Sequence, residues 1–410
     1  MQPRQEIQVN ASRGAYKVLI GRGILQEELP RAVAGTGASR VAVFADSNVA
    51  PLHLGHILEL LPDAAAHVFP AGESSKNLGT ISELLGFLAE NQFTRKDIVI
   101  ALGGGVTGDM AGFTAAVYLR GIRFIQIPTT MLAAIDSSVG GKTGVDLPQG
   151  KNLVGAFWQP TAVLCDTALL DTLPERILFD GMAEAVKYGV IRDEALFGML
   201  DSDGCLDGHL QEVVAQCVRI KAEIVSRDEF DRGDRALLNF GHTVGHAVEA
   251  RSGFAISHGE AVAIGMVAMT RIAEARGWCA SGTSERLVHA LKRYRLPTEL
   301  PFGWKELADI MLHDKKRSGD AITIVVPECI GRCVRREIPV KMLSEGLMTR
   351  SENWFSTIAR GAAALRFRPQ SRWRTGSWSA RRSQKHRWMQ SASSEPPPRM
   401  SMQQKAASIL

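Results

Sequence analysis

Between Phe124 and Asn152 the chain sets an acid, Asp136, two lysines, Lys142 and Lys151, and an amide, Asn152, in a glycine-rich segment behind a short apolar run. Such a segment suits anions. Gly140, Gly141 and Gly144 let backbone approach a ligand, and two long cations so close together imply something negative between them. The other reading is an ordinary surface loop, against which stand the apolar and β-branched residues interleaved here.

A second set of chemical groups lies downstream. Arg235-Ala-Leu-Leu-Asn239-Phe-Gly-His242-Thr-Val-Gly-His246-Ala-Val-Glu249 places two histidines on one face of a predicted helix, and Ser257-His258-Gly-Glu260 opens an apolar one. Glu184, three residues before Lys187 on a further helical face, completes a Glu/His/His donor set for zinc with one coordination position open. Spacing leaves alternatives: His242 and His246 both ligate, or one of them does acid–base chemistry, and Glu184 with Lys187 is a surface ion pair.

The elements that must position these groups change in texture along the chain. Ile7-Gln-Val and Tyr16–Ile20 read as strands, a helix follows near Ile24–Val33, and Val41–Ala45 is a strand ending at Asp46. An acid there either takes ribose hydroxyls or caps the next helix. His67–Phe69 reads as another strand; Gly72-Glu73-Ser-Ser-Lys76 leads into a helix ending near Asn91. Asp97–Leu102 is an apolar run of the kind buried on both faces. It enters Gly103-Gly-Gly-Val-Thr-Gly108-Asp109 and then a helix, a context in which pyrophosphate rests on glycine amides at the positive helix end. The motif departs from the usual fingerprint, lying near residue 105 and lacking an acid about twenty residues on; the other reading is a helix packed closely on a sheet. After the strand-like Ala162–Asp166, the stretch from Pro174 to about Leu312 reads as successive helices, so a boundary is expected near 173–180.

Composition bounds the class. The 410 residues are 45% hydrophobic and 22% charged, ordinary for a soluble protein of two or three domains. The net charge of +5 misleads, because residues 351–410 hold eleven Lys and Arg against two acids and leave residues 1–350 at −4. A basic total is therefore no argument for nucleic acid. Six cysteines without CxxC pairs suit a reducing compartment. With no leader and no long apolar run, a cytoplasmic protein without membrane contact is expected.

Together, Gly-Gly-Gly-Val-Thr-Gly-Asp109, Pro128-Thr-Thr-Met-Leu, Asp136-Ser-Ser-Val-Gly-Gly-Lys142-Thr, Gly150-Lys151-Asn152, Ala183-Glu184-Ala-Val-Lys187-Tyr-Gly, Leu238-Asn239-Phe-Gly-His242-Thr and His258-Gly-Glu260 closely resemble the 3-dehydroquinate synthase family, in order from about residue 7 to 340. The resemblance implies an NAD-dependent enzyme with one divalent metal, zinc or cobalt. It would cyclise 3-deoxy-D-arabino-heptulosonate 7-phosphate, a phosphorylated, carboxylated sugar acid, to 3-dehydroquinate and phosphate in the shikimate pathway. The implied fold is an α/β Rossmann-like domain (1–176) and a mainly α-helical metal- and substrate-binding domain (177–348), with the active site in the cleft between them.

By the same resemblance Glu184, His242 and His258 hold the metal, and His246 serves substrate or proton transfer. Asp46, Glu73, Lys76, Gly104, Gly105, Val106, Asp109, Thr129 and Thr130 contact the nucleotide, with Asp136 and Lys142 reaching towards the reacting end. Lys151, Asn152, Lys187, Lys221, Arg235, Asn239 and a lysine of Asp314-Lys315-Lys316, assigned as Lys316, surround the substrate, and Lys151 also borders the nucleotide. A homodimer is implied, in which Arg120 reaches the phosphate of the neighbouring subunit. The alternatives are another sugar phosphate cyclase, a metal-dependent polyol dehydrogenase, and a noncatalytic nucleotide-binding regulator. Residues 349–410 depart from the family: basic, with four of the seven tryptophans and no hydrophobic periodicity, they are expected to be a disordered extension rather than an RNA-binding one.

Overall fold

The computed structural model describes residues 3–12, 14–315 and 321–344, with the side chains of 313–315 and 344 left aside. The expectations for Lys316 and for the 349–410 extension lie outside the described residues. Chain order runs from a parallel sheet with helices on both faces into a run of helices, as the patterning predicts.

The sheet has seven strands in the order β1-β2-β9-β6-β5-β3-β4: β1 Gln5–Ala11, β2 Gly14–Gly21, β3 Val41–Asp46, β4 Ala65–Phe69, β5 Ile98–Gly103, β6 Arg123–Pro128 and β9 Ala162–Asp166. Only the β1/β2 hairpin is antiparallel; the other pairings are parallel. Alternation along β5 explains its unbroken apolar run. Ile98, Ile100 and Leu102 pack on the face covered by α1 (Leu25–Thr36) and α2 (Gly55–Leu60), while Val99 and Ala101 pack on the face of α3 (Leu78–Glu90) and α4 (Gly105–Val117).

After β3 the chain moves outward to β4, then returns across β3 to β5 and proceeds the other way to β6 and β9. The winding therefore reverses between β3 and β5. A crevice for ligands opens beyond the carboxyl ends of strands at such a switch point. Asp46 ends β3, Gly103–Gly105 leaves β5 and Thr129 leaves β6, all at this edge.

The stretch read as a loop is a built element. A π-helical turn, Ala133–Ser137, precedes an antiparallel hairpin of β7 (Lys142–Leu147) and β8 (Gly150–Phe157). Gly144 and Gly155 face one another across it, and a Cβ on either would come within 2.5 or 2.1 Å of the opposite backbone oxygen. Close strand approach, not ligand approach, is what the glycine at 144 serves.

The second half comprises α5 (Glu175–Arg192), α6 (Glu194–Leu200), α7 (Leu206–Arg227), α8 (His242–Arg251), α9 (His258–Ala275), α10 (Thr283–Arg293) and α11 (Trp304–Lys315). A hairpin of β10 (Ala321–Cys329) and β11 (Arg332–Pro339) and the short α12 (Val340–Ser344) follow. One apolar core joins β1, β2 and β9 to α5, α7 and α9, drawing in Ile7, Val18 and Val163 with Val186, Val218 and Val262. Polar clips reinforce this seam: Gln5 Nε2 donates to Glu212 Oε2 at 2.8 Å and the Ser12 amide to Glu229 Oε2 at 2.6 Å. All six cysteines are free thiols. Among the described residues, no helix is long and apolar enough to cross a membrane.

Candidate active site

Helix α5 is buried along most of its second half, so a carboxylate at position 184 has no route to water. Glu184, Lys187 and Tyr188 share one face through their i, i+3, i+4 spacing, and all three are at most 1% exposed. Across from them, His242 opens α8 and His258 opens α9. The start of α9 is fixed by a capping box of Ser257 with Glu260 and by Asp180, whose Oδ1 accepts from the Glu260 amide at 3.2 Å and from the Ser257 hydroxyl. His242 Nε2 and His258 Nε2 then lie 3.5 and 3.3 Å from Glu184 Oε1.

Glu184, His242 and His258 each offer one ligand atom within 4.8 Å of the other two. Their outer nitrogens are engaged: His242 Nδ1 meets the Phe240 carbonyl at 3.1 Å and His258 Nδ1 meets Glu249 Oε2 at 3.5 Å. With the Nδ1 atoms engaged outward, both Nε2 atoms turn towards Glu184. Neither oxygen of the Glu184 carboxylate has a hydrogen-bond partner, although the Lys187 ammonium sits in ion-pair contact with Oε2. A buried carboxylate oxygen facing two imidazoles fits a divalent cation. His246 is exposed on the next turn, its ring 5.3 Å from that of His242, and is not part of the three-residue set.

In the metal-free chain these groups polarise one another. Burial would raise Glu184, but the Lys187 ammonium and both imidazoles hold it down to about 2. Burial pushes His242 down to about 3, with Lys187 adding to the effect. Burial also opposes charge on His258, yet the carboxylates of Glu184 and Glu249 outweigh it and push its pKa up to about 10. A protonated His258 thus supplies the positive charge between two carboxylates that a metal would supply.

Beside this cluster the buried cations gather. Lys221 Nζ, on α7, lies 2.8 Å from Asp136 Oδ1 and 2.5 Å from its carbonyl, and Tyr188 donates to the same carboxylate oxygen at 2.5 Å. Burial opposes ionisation of Asp136, but Lys221, Lys187 and that hydroxyl keep it well below the usual carboxylate range. Arg235 donates to the carbonyls of Glu229 and of Gly140, the latter at 3.2 Å. A Cβ on Gly140, whose φ is +97°, would come within 2.6 Å of that guanidinium. The glycine makes room for an arginine, which corrects the expectation that it makes room for a ligand. Gly141 likewise yields to the Gln159 side chain. Asn239 is exposed three residues before His242.

The two lysines of the hairpin do not flank one anion. Lys142 pairs with Phe157 at the open end, whereas Lys151 follows Gly150 at the turn, about 16 Å away at strand rise. Lys142 is ion-paired with Asp231 and half-exposed. Lys151 lies 3.4 Å from Glu249, 3.7 Å from Glu73 and 4.5 Å over the Phe254 ring. The charges arose from two separate arms of one hairpin, which a reading without strand pairing cannot separate.

At the sheet edge, the Thr107 hydroxyl lies 3.3 Å from Asp46 Oδ2, while Asp46 Oδ1 accepts from the amides of Asn48 and Val49 at 2.8 and 3.0 Å. The carboxylate therefore caps its own turn at the place where the dinucleotide reading also needs it. The glycines divide similarly: a Cβ on Gly108 would meet Gln126 at 2.6 Å, a packing constraint, whereas Gly104 and Gly105 leave 3.0 and 3.2 Å to Thr130 and Ser137. Gly104 caps α4 and Val106 lies in its first turn, so the free amides of that turn face the crevice. Thr129 Oγ1 is buried without a partner. Lys76 Nζ is held 2.6 Å from both Asp109 Oδ2 and Asn152 Oδ1, which ties the hairpin to α4; burial raises Asp109 to about 6 against that ammonium.

Arg120 does not join these groups. It lies past the far end of α4, about 20 Å from Gly105 at helical rise, on a turn where Leu119 and Arg120 have φ of +50° and +68°. Trp158 fills the space over Gly121, where a Cβ would come within 2.4 Å of the indole.

Two family models match the chain: 3-dehydroquinate synthase N-terminal over residues 66–180 and 3-dehydroquinate synthase C-terminal over residues 181–317. The chain belongs to the 3-dehydroquinate synthase family. The 3-dehydroquinate synthase of Streptococcus suis is 41% identical over 360 residues, covering 83% of this chain and 99% of the relative. Among solved structures, 2-deoxy-scyllo-inosose synthase complexed with carbaglucose-6-phosphate, NAD+ and Co2+ is similar with a TM-score of 0.75 at 25% identity, over 84% of this chain and 99% of the other. A 2-epi-5-epi-valiolone synthase from Streptomyces hygroscopicus with NAD+ and Zn2+ bound has a TM-score of 0.75 at 27% identity, over 88% and 99%. The two 3-dehydroquinate synthase models meet between residues 180 and 181, inside α5.

Three residues of the site had no role from sequence. Glu249 is 4% exposed between His258 and Lys151. It stands at i+7 from His242 on the same helical face, a signal that was available. Tyr188, at i+4 from Glu184, could have been found the same way. Asp231 lies in an irregular segment at φ +59°, where no periodicity points to it.

Proposed function

We propose that this chain is a 3-dehydroquinate synthase, converting 3-deoxy-D-arabino-heptulosonate 7-phosphate to 3-dehydroquinate and phosphate. The observation that carries this reading is the junction of the Glu184, His242 and His258 donor set with the buried cations Lys187, Lys221 and Arg235. A substrate with a phosphate and a carboxylate needs such cations, and simple alcohol oxidation does not. Similarity to synthases holding NAD+ with Co2+ or Zn2+ supports NAD and one divalent metal here.

When bound, NAD takes and returns a hydride and the metal polarises the hydroxyl being oxidised. We assign Glu184, His242 and His258 to the metal. Asp46, Glu73, Lys76, Gly104, Gly105, Val106, Asp109, Thr129 and Thr130 go to the dinucleotide, with Asp136, Lys142 and Lys151 at its reacting end. Lys187, Lys221, Arg235, Asn239, Lys151, Asn152 and Lys316 go to the substrate, where their charges favour departure of phosphate, and His246 moves a proton. Two domains, 1–176 and 177–348, meet at this site. A cytoplasmic homodimer completes the proposal: Arg120, remote from its own glycine turn, reaches the phosphate held by the other copy.

The test is to incubate the metal-loaded protein with the heptulosonate phosphate and a trace of NAD. Many phosphates released per NAD, with no lasting NADH absorbance, is the expected result. Stoichiometric NADH without phosphate would overturn it in favour of a polyol dehydrogenase.

A further inference from the structure

The metal cluster and the dinucleotide end of the hairpin are joined through one carboxylate. Glu249 lies on α8, seven residues after His242, and is 4% exposed. Its Oε2 meets His258 Nδ1 at 3.5 Å and its Oε1 meets Lys151 Nζ at 3.4 Å. Lys151 continues to Glu73 at 3.7 Å, and the next residue, Asn152, accepts from Lys76 at 2.6 Å, which in turn holds Asp109 on α4. Polar contacts therefore reach the hairpin from both sides, from Asp109 and Lys76 to Asn152 and from His258 and Glu249 to Lys151, and the hairpin backbone between residues 151 and 152 joins them.

The end of α8 is shaped to keep this joint closed. Gly253 and Phe254 take φ of +62° and +64°, and the Phe254 amide returns to the Glu249 carbonyl at 2.9 Å. That turn sets the Phe254 ring under the Lys151 ammonium at 4.5 Å. The same helix end thus fixes both the carboxylate and the apolar face that hold Lys151.

We propose that Glu249 is a positioning residue coupling metal binding to dinucleotide binding. Through Oε2 it engages His258 Nδ1 and so fixes the ring with Nε2 towards the metal site; through Oε1 it holds Lys151, and with it the hairpin, against the dinucleotide crevice. With His258 held by a metal, Glu249 would be fixed at its Oε2 and would present Lys151 through Oε1. By linkage, NAD must then tighten the metal by the factor by which the metal tightens NAD.

This rests on the metal and NAD reading above, and the experiment separates the two. Cobalt affinity is measured by the visible spectrum of Co2+ against a competing chelator, with and without NAD, for wild type, Glu249→Gln and Lys151→Met, each first checked by circular dichroism and thermal melting. Wild type that binds no Co2+ sinks the metal reading itself. With wild type binding, Glu249→Gln is expected to lose about 10–100-fold in Co2+ affinity, the range for partners that orient a ligand histidine. Lys151→Met, read with NAD at a concentration that separate titration shows to saturate each variant, is expected to lose the mutual tightening by NAD. A folded Glu249→Gln within twofold of wild type for Co2+, or a Lys151→Met that retains the wild-type NAD effect, overturns the inference. The Lys151→Met arm decides alone if Glu249→Gln does not fold.

Discussion

The two ends of the site hold charge by different means. At the helical end the groups are side chains sealed inside: Glu184 is 0%, Lys187 1%, Arg235 2% and Lys221 5% exposed. At the sheet edge the recognition elements are mostly backbone amides and small residues at a winding reversal, with one ion pair of buried Lys76 and partly buried Asp109, while the charge of Glu73 reaches solvent. Buried charges depend on one another, because removing one strands its partner. Backbone sites do not. The helical end should therefore fail all at once under substitution, and the sheet edge by degrees.

The largest effect tests the sealed end. Glu184→Ala leaves Lys187 without its counter-ion and is expected to cost about 3–5 kcal/mol as well as Co2+ binding. Calorimetry and metal titration together check this; a variant of wild-type stability would break the contrast. Next, Gly103→Ala would force a Cβ to within 2.3 Å of the Thr107 hydroxyl and is expected to destabilise by about 1–3 kcal/mol. Gly105→Ala meets Ser137 at 3.2 Å, so it should fold and lose mainly NAD affinity, read by fluorescence titration.

Protons sharpen the same contrast. Because His258 is raised to about 10 in the metal-free chain, each metal bound near neutral pH should release a proton, measurable by pH-stat. The stability that His258 contributes is complete below its unfolded value near 6.5 and is lost as pH rises through about 10. Glu184 and Glu249, held down to about 2, contribute stability above 4.5 that is lost as pH falls through about 2. His242, pushed down to about 3, adds stability that is complete above 6.5 and is lost as pH falls towards 3, so metal-free melting temperatures should peak near pH 6.5 and fall away on both sides as far as this cluster is concerned. The smallest effect belongs to Lys142→Ala: its half-exposed ion pair with Asp231 contributes about 0–1 kcal/mol, so melting should barely move while phosphate release falls.

What the sequence disclosed followed from periodicity and from residue type. The unbroken run from Asp97 to Leu102 announced a strand buried on both faces, and the glycines after it announced a tight turn into a helix. Donor chemistry suggested a Glu/His/His set and the family resemblance named Glu184, His242 and His258; spacing alone left His246 in play, and the fold exposes that ring outside the three-residue set. Position in space was what spacing misreported. Lys142 and Lys151, nine residues apart, looked like neighbours because a hairpin with antiparallel register was read as a loop. Asp46 was ambiguous between cap and ribose ligand, and the structure gives it the cap without removing it from the crevice. Gly140 and Gly141 were read as openings for a ligand, and side chains from distant segments, Arg235 and Gln159, fill them.

The seam between β1 and α7 has a kinetic consequence. Gln5, Asn10 and Ser12 close contacts with Glu212, Ser226 and Glu229 across 207, 216 and 217 residues of intervening chain. On a ribosome adding about 5–20 residues per second, the first strand waits at least ten seconds for the helix it packs on. Until then its apolar face, Ile7 and Val9, is covered only from the β2 side. Strand β1 is thus among the last of the described elements to be locked, and its loop-closing entropy falls on the folding rate. Extensions attached ahead of residue 5 should slow refolding of the helical half far more than they alter its final stability.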